Sequence, residues 1–147
     1  MNELYKNNFE YAYKEAAKGF AEGGIPIGAA LFENDKLIAT GRNERVQKND
    51  AIAHGEISCL KNAGRRKSYR NTTLYTTLAP CSMCTGAILL FKIPTVIVGE
   101  CETFSGEIEL LRDRGVEVII LNDPRCIKLM KQFQTESAKI WAEDIAE

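Results

Sequence analysis

Two short clusters of metal-binding and acidic side chains are the residues of this sequence most able to do chemistry. The first is His54-Gly55-Glu56 and the second is Pro80-Cys81-Ser82-Met83-Cys84. Cysteines three positions apart lie on one face of a helix, so both sulfurs can reach one metal ion. The partial positive charge at a helix N-terminus favours thiolates, the form of cysteine that binds zinc. The second cluster therefore predicts a metal site at the start of a helix.

The only histidine of the sequence supplies a third ligand. Together, His54, Cys81 and Cys84 offer three protein ligands to one Zn²⁺ ion per chain. Structural zinc sites normally have four protein ligands, whereas three ligands and an open position are typical of catalytic sites. Glu56 lies two residues beyond His54 and off its helical face. We therefore expect Glu56 to act on a water at the open position, as the catalytic base and acid.

Each cluster taken alone has a simpler interpretation. A Cys-x-x-Cys pair can be a redox pair or half of a structural zinc site, and a histidine near a helix start is often a cap. Neither a redox protein nor a non-enzymatic zinc module would need Glu56. His-x-Glu followed by Pro-Cys-x-x-Cys is the signature of zinc-dependent nucleobase deaminases, and the sequence contains both parts in that order.

The elements that must hold these clusters follow from the spacing of apolar residues. Helical spacing predicts a helix over residues 3–22, and the turn residues Asn34-Asp35 predict a hairpin between strands at 27–32 and 36–40. Pro124 starts a last helix that is capped by Asp123, with Ile127, Met130 and Phe133 facing inward. Further helices are predicted at 54–63, 81–91 and 108–114, and further strands at 72–78, 95–99 and 116–121.

The order of these elements predicts the fold class. Strands and helices alternate in the second half of the chain, which requires crossover connections and favours parallel strands. Joined to the hairpin, they form a mixed five-stranded sheet with helices on both faces, a three-layer α/β/α sandwich of the α/β class. The 147 residues are close to one average domain, so we expect residues 1–147 to form a single domain.

Composition excludes several classes of protein. Lys and Arg number 19 against 20 Asp and Glu, whereas a dedicated nucleic-acid binder is usually strongly basic. No apolar run approaches the ~20 residues needed to span a bilayer. The first ten residues lack the apolar stretch of a secretory signal, and five cysteines are an odd number for a disulfide framework. We therefore expect a cytoplasmic protein without nucleic-acid or membrane partners, in which Cys59, Cys101 and Cys126 are small buried or half-buried side chains.

Several further segments carry a family resemblance. They are EGGIPIG at 22–28, GRN at 41–43, HGEIS at 54–58, TTLYTTL at 72–78 and CTGAI at 84–88. With these segments and the C-terminal Trp141-Ala142-Glu143-Asp144-Ile145, the sequence resembles the fungal-type cytosine deaminases of the cytidine deaminase-like superfamily over nearly its whole length. The C-terminal segment discriminates best, because other nucleotide deaminases share the zinc motif but not this ending. The sequence departs from the family at Ala79 and Ser82, and its loop at 101–108 is only loosely similar.

The resemblance implies an activity and a substrate pocket. It implies hydrolytic deamination of free cytosine to uracil and ammonia, in pyrimidine salvage, by a homodimer. Asn43 and the backbone N–H of Gly55 would hydrogen-bond the polar edge of the pyrimidine, and Asp144 would accept from its N1–H. Phe104 and Trp141 would enclose the ring, with Ile27 beside it.

Other interpretations stay open. Asn43 could be a turn residue, Trp141 core packing and Asp144 a solvated charge. A deaminase of another small ring, such as creatinine or guanine, would keep the metal site and change the pocket. An adenosine deaminase acting on transfer RNA would share the zinc core, but would be expected to show a basic surface for phosphates.

Overall fold

The computed structural model describes residues 2–147, and its elements follow the predicted order closely. The first half of the chain forms α1 (Glu3–Ala21), β1 (Gly28–Glu33), β2 (Lys36–Arg42), α2 (Arg45–Lys48) and α3 (Gly55–Ala63). The second half forms β3 (Thr72–Leu78), α4 (Ser82–Phe91), β4 (Thr95–Glu100), α5 (Ile108–Asp113), β5 (Glu117–Ile120), α6 (Pro124–Glu136) and α7 (Ala138–Asp144).

The five strands form one mixed sheet in the order β2-β1-β3-β4-β5. β1 is antiparallel to both β2 and β3, whereas β3, β4 and β5 run parallel. The hairpin between β1 and β2 turns at Asn34 and Asp35, whose φ angles of 47° and 68° suit the two-residue turns that match strand twist. The predicted mixed sheet and its parallel half are confirmed.

Helices cover both faces of the sheet, which confirms the three-layer sandwich. On one face, Phe9 and Ala12 of α1 and Cys126 of α6 pack against Tyr75 and Ile97 of the central strands. On the other face, residues of α3, α4 and α5 form a second apolar core with the sheet; these include Cys59, Leu60, Ile88 and Leu111. Along most of their length β3 and β4 are buried on both sides; the apolar sequence of β4 predicts this, whereas the Thr-rich sequence of β3 does not.

One inward position of the last helix was predicted wrongly. Met130 and Phe133 of α6 are buried as expected, but Ile127 is only half-buried. Cys126 takes the buried position instead, against α1 and the sheet. Its thiol is small enough to fit directly beneath the helix, and the larger Ile127 lies at the rim.

The C-terminal segment forms a helix of its own that sequence periodicity did not reveal. α6 ends at Glu136, the backbone of Ser137 leaves the helical region, and α7 begins at the next residue. Ile140 and Trp141 of α7 pack against a third apolar cluster, which contains Ile25, Ile27, Leu78, Met130 and Phe133. Leu78 is the last residue of β3, so α7 lies at the C-terminal end of this central strand, close to the start of α4. No helix within residues 2–147 is both long and apolar enough to cross a membrane.

Candidate active site

Both sequence clusters lie at the starts of helices, where their side chains are free to converge. His54 is the N-cap of α3 and Cys81 is the N-cap of α4; both have extended backbones. Neither side chain caps its own helix, so each is available for another partner. Cys84 lies in the first turn of α4 and is buried.

The three predicted ligands form one group. The ligand atoms of His54, Cys81 and Cys84 all lie within 4.8 Å of one another, and Nδ1 of His54 is 3.5 Å from the Cys81 sulfur. Zinc binds sulfur at about 2.3 Å and imidazole nitrogen at about 2.0 Å, so one ion can reach all three atoms. Two thiolates and an imidazole are also ligands that zinc prefers. In the part of the chain that the structure describes, the group contains three residues, as expected for a catalytic zinc site.

A contact from the C-terminal helix orients the histidine. Oδ1 of Asp144 lies 3.2 Å from Nε2 of His54, and the Asp144 side chain is only 2% exposed. A carboxylate at one ring nitrogen fixes the tautomer and leaves the other nitrogen for a metal. Burial lowers the pKa of His54, but its hydrogen bonds to Asp144 and Cys81 outweigh this effect and raise the pKa to about 10. The two partners are 90 positions apart, so the sequence does not reveal this contact.

The thiols of Cys81 and Cys84 have pKa values that are shifted in opposite directions. A hydrogen bond from the Cys84 thiol, opposed by burial and assisted by His54, lowers the pKa of Cys81 to about 4. The same contact with Cys81 and then burial raise the pKa of Cys84 well above its usual range. Without a metal, Cys81 is therefore the thiolate of the pair and Cys84 the protonated thiol. A metal ion must displace the proton of Cys84, because only the thiolate is a strong ligand.

Glu56 is buried beside this group and carries a perturbed carboxyl. It is only 3% exposed, in the first turn of α3. Burial, and then the charge of Cys81, raise the pKa of Glu56 to about 7. A carboxyl that titrates near neutral pH can both accept and donate a proton during a reaction.

A narrow, mainly apolar pocket opens onto the metal-ligand group. Its lining residues are Ile27, His54, Glu56, Leu78, Ala79, Cys81, Phe104, Trp141, Asp144 and Ile145. Phe104 meets Trp141 edge to face, with ring centroids 5.6 Å apart. A larger surface hollow lies between α1 and the start of α6, but none of the residues that line it belongs to the metal-ligand group.

Asn43 and Gly55 do not line this pocket, but each lies next to a residue that does. Asn43 is fully buried directly after β2, and its Nδ2 lies 3.4 and 3.5 Å from the two carboxylate oxygens of Asp144. Gly55 opens α3, where an added Cβ would lie 3.1 Å from the carbonyl oxygen of Ile27. A side chain at this position would crowd the pocket wall. Three lining residues were not predicted from the sequence: Leu78, Ala79 and Ile145. Of these, only Ile145 could have been suspected, because it directly follows the predicted site residue Asp144.

Fold and site together define a class of enzyme. A three-layer α/β/α sandwich that brings a histidine, two cysteines and a buried glutamate to the starts of two helices has the architecture of a zinc-dependent deaminase. The sequence profile of the cytidine and deoxycytidylate deaminase zinc-binding region matches residues 2–100. The chain belongs to this family.

Individual relatives cover the chain to different extents. Cytosine deaminase of Candida albicans is 50% identical over 145 residues, 97% of each chain. A tRNA-specific adenosine deaminase of Buchnera aphidicola is 47% identical over 91 residues, and the match spans only 60% of either protein. The structure of guanine deaminase from Nitrosomonas europaea superposes with a TM-score of 0.71 at 24% identity, covering 87% of this chain and 83% of that one. This last similarity supports the fold alone.

Proposed function

We propose that this protein catalyses the zinc-dependent hydrolysis of free cytosine to uracil and ammonia. The relative that matches nearly the whole chain is a cytosine deaminase, whereas the tRNA-specific relative from Buchnera aphidicola matches 60% of it. The observation that carries the proposal is the buried Asp144 carboxylate in an otherwise largely apolar pocket beside the metal-ligand group.

Asp144 suits a free base better than a nucleoside. Free cytosine has a hydrogen on N1 that can donate to a carboxylate, whereas in cytidine the same nitrogen bears the ribose. Trp141, Asp144 and Ile145 all come from the C-terminal segment and line the pocket together. A ribose on N1 would have to displace this segment, so the pocket favours a small ring with a donor at that position.

The protein's own groups move the protons of the reaction. His54, Cys81 and Cys84 would hold a zinc ion, which when bound lowers the pKa of a coordinated water to about 7 and so supplies a nucleophile at neutral pH. Glu56 takes a proton from the attacking water and delivers it to N3 of the base, which makes C4 more electrophilic. The oxygen of this water then bonds to C4. Glu56 passes the second proton of the water to the amino group, the C4–N bond breaks, and ammonia leaves while uracil remains. Its pKa of about 7 suits both transfers.

Residues in and around the pocket position the ring. Asn43 and the backbone N–H of Gly55 would hydrogen-bond the polar edge of the pyrimidine, while Asp144 accepts from N1–H. Phe104 and Trp141 enclose the ring and Ile27 lies beside it. The edge-to-face contact of the two aromatic rings supports this arrangement, because it closes one side of the pocket with a rigid apolar wall.

Ammonia release from a panel of amino-substituted rings tests the substrate. The zinc-loaded protein is assayed with cytosine, cytidine, adenine, guanine and creatinine at equal concentrations. We expect cytosine to be the fastest substrate. Faster release from a purine or from creatinine would overturn the substrate assignment while leaving the zinc deaminase family in place.

We also propose that the protein is a cytoplasmic homodimer of single-domain chains that serves pyrimidine salvage. All five cysteines, each within residues 2–147, are free thiols, which suits a reducing compartment. Leu90 at the end of α4 is 71% exposed and Ile52 is 59% exposed, and a subunit contact would cover such side chains. Light scattering should give twice the chain mass, and Leu90→Glu should reduce it toward the monomer; a monomeric native protein would contradict the proposal.

A further inference from the structure

A second buried carboxylate lies outside the metal-ligand group. Glu100 ends β4 and has no exposed surface. Among residues 2–147 no lysine, arginine or histidine pairs with it. Its Oε2 instead accepts hydrogen bonds from the backbone N–H groups of Glu102 and Thr103, at 2.8 and 2.9 Å, and its Oε1 accepts a short one from the Thr103 hydroxyl. Three donors of one turn therefore converge on a single carboxylate.

This turn leads directly into the aromatic wall of the pocket. Phe104 follows Thr103 and packs edge to face on Trp141. Nε2 of Gln134 donates to the Thr103 carbonyl at 3.3 Å, and the N–H of Glu107 donates to the Pro80 carbonyl at 3.0 Å. These contacts tie the loop to α6 and to the residue before Cys81, and the Gln134 contact holds the carbonyl of the residue before Phe104. The Glu100 carboxylate holds the other polar groups of Thr103, its backbone N–H and its hydroxyl.

We propose that Glu100 is a positioning residue that sets the substrate pocket by fixing the turn before Phe104. The inference rests on the proposed role of Phe104 as part of the wall that encloses the substrate. Glu100 does not line the pocket, so it acts through Phe104 and not on the substrate. Hydrogen bonds to a charged acceptor are shorter and stronger than neutral ones, so a carboxylate that accepts three of them can order this turn.

The chain offers a matched control for this inference. Glu100→Ala removes the acceptor of all three hydrogen bonds. Glu102→Ala makes the same chemical change two residues away, where the carboxylate is 60% exposed and pairs with Lys131 at 3.6 Å. Thr103→Val removes one donor of the turn, and Thr103→Ser restores it.

A double-mutant cycle with Phe104 separates positioning from general damage. In the native background we expect Glu100→Ala to lower kcat/KM for cytosine at least tenfold, mainly through KM, with zinc still at one per chain. In the Phe104→Ala background the same change should cost less than twofold, because the wall it positions is already gone. Glu102→Ala and Thr103→Ser should stay within twofold of the native protein, and Thr103→Val should fall below Thr103→Ser. Equal losses from Glu100→Ala in both backgrounds, or an unchanged kcat/KM in Phe104→Ala, would overturn the inference.

Trp141 gives a readout that does not depend on activity. It is the only tryptophan of the chain, and Phe104 packs on its ring. Acrylamide should quench its fluorescence at least twofold more strongly in Glu100→Ala than in Glu102→Ala. Equal quenching in the two variants would overturn the positioning role, whereas a native protein without cytosine turnover but with the expected quenching difference would overturn the proposed function alone.

Discussion

Asp144 contacts the metal-ligand group as well as the pocket, so two substitutions at this position should have different effects. Its Oδ1 lies 3.2 Å from Nε2 of His54, and both carboxylate oxygens lie near Nδ2 of Asn43. Asp144→Ala removes every acceptor. Asp144→Asn keeps one oxygen for His54 but loses the negative charge and the second acceptor. The first variant should therefore weaken both zinc and substrate binding, and the second only substrate binding.

The sizes of these effects follow from the contacts that are lost. A hydrogen bond to a charged group contributes roughly 1.5–3 kcal/mol. At about 1.4 kcal/mol for each factor of ten, Asp144→Asn should lower kcat/KM for cytosine by roughly 10- to 100-fold. Loss of the partner that orients a metal-binding histidine typically costs about 10- to 100-fold in metal affinity. Asp144→Ala should therefore show that loss in addition.

Two measurements on the same preparations separate the effect of each Asp144 variant on turnover from its effect on zinc binding. Uracil formation is followed by absorbance to obtain kcat/KM, and competition with a chromophoric chelator gives the zinc affinity. We expect Asp144→Asn to hold zinc within threefold of the native affinity while turnover falls, and Asp144→Ala to lose both. Native turnover in Asp144→Asn would refute the N1–H contact, and native zinc affinity in Asp144→Ala would refute the orienting role.

Three further predictions concern the acid–base residue, the metal and the core. Glu56→Gln should lower kcat about 10²- to 10⁴-fold without changing zinc content, and near-native kcat would exclude its acid–base role. Zinc affinity should fall with falling pH, about tenfold per pH unit for each proton released. The raised pKa values of His54 and Cys84 leave both protonated near neutrality in the metal-free site, so zinc must displace their protons. Chelator competition at several pH values measures this, and a pH-independent affinity would contradict it. Gly28→Ala should destabilise the fold by at least ~1–3 kcal/mol, because its Cβ would lie 2.2 Å from the backbone oxygen of Ala12, whereas Gly86→Ala meets nothing within 4 Å and should stabilise α4 by about 0.5–1 kcal/mol. Thermal denaturation of the two variants compares them, and equal melting temperatures would contradict the packing argument.

Local patterns were sufficient to predict the metal ligands and most of the fold. Cys81 and Cys84 are three residues apart on one helix, and the apolar alternation around them identifies the neighbouring strands and helices. The adjacent turn residues Asn34 and Asp35 lie between two short apolar runs and predict the hairpin directly. In each of these cases, the residues that determine the structure are neighbours in sequence.

The rest of the site depends on contacts between distant residues. α7 is only seven residues long and begins after a break at Ser137, so no periodic pattern reveals its direction. The approach of Asp144 to His54 and the packing of Phe104 on Trp141 both follow from that direction. Glu100 appears in the sequence as an ordinary polar residue after a strand, because its three donors become visible only when the following turn is formed.

The most direct test of the central claim compares free cytosine with cytidine on one zinc-loaded preparation. Cytidine cannot donate from N1 and would leave the buried Asp144 carboxylate without that partner, a penalty of roughly 2–5 kcal/mol before any clash with Trp141. We therefore predict that kcat/KM for cytosine exceeds that for cytidine by at least ~30-fold, since each 1.4 kcal/mol is about tenfold. Comparable values of kcat/KM for the two substrates would contradict the account.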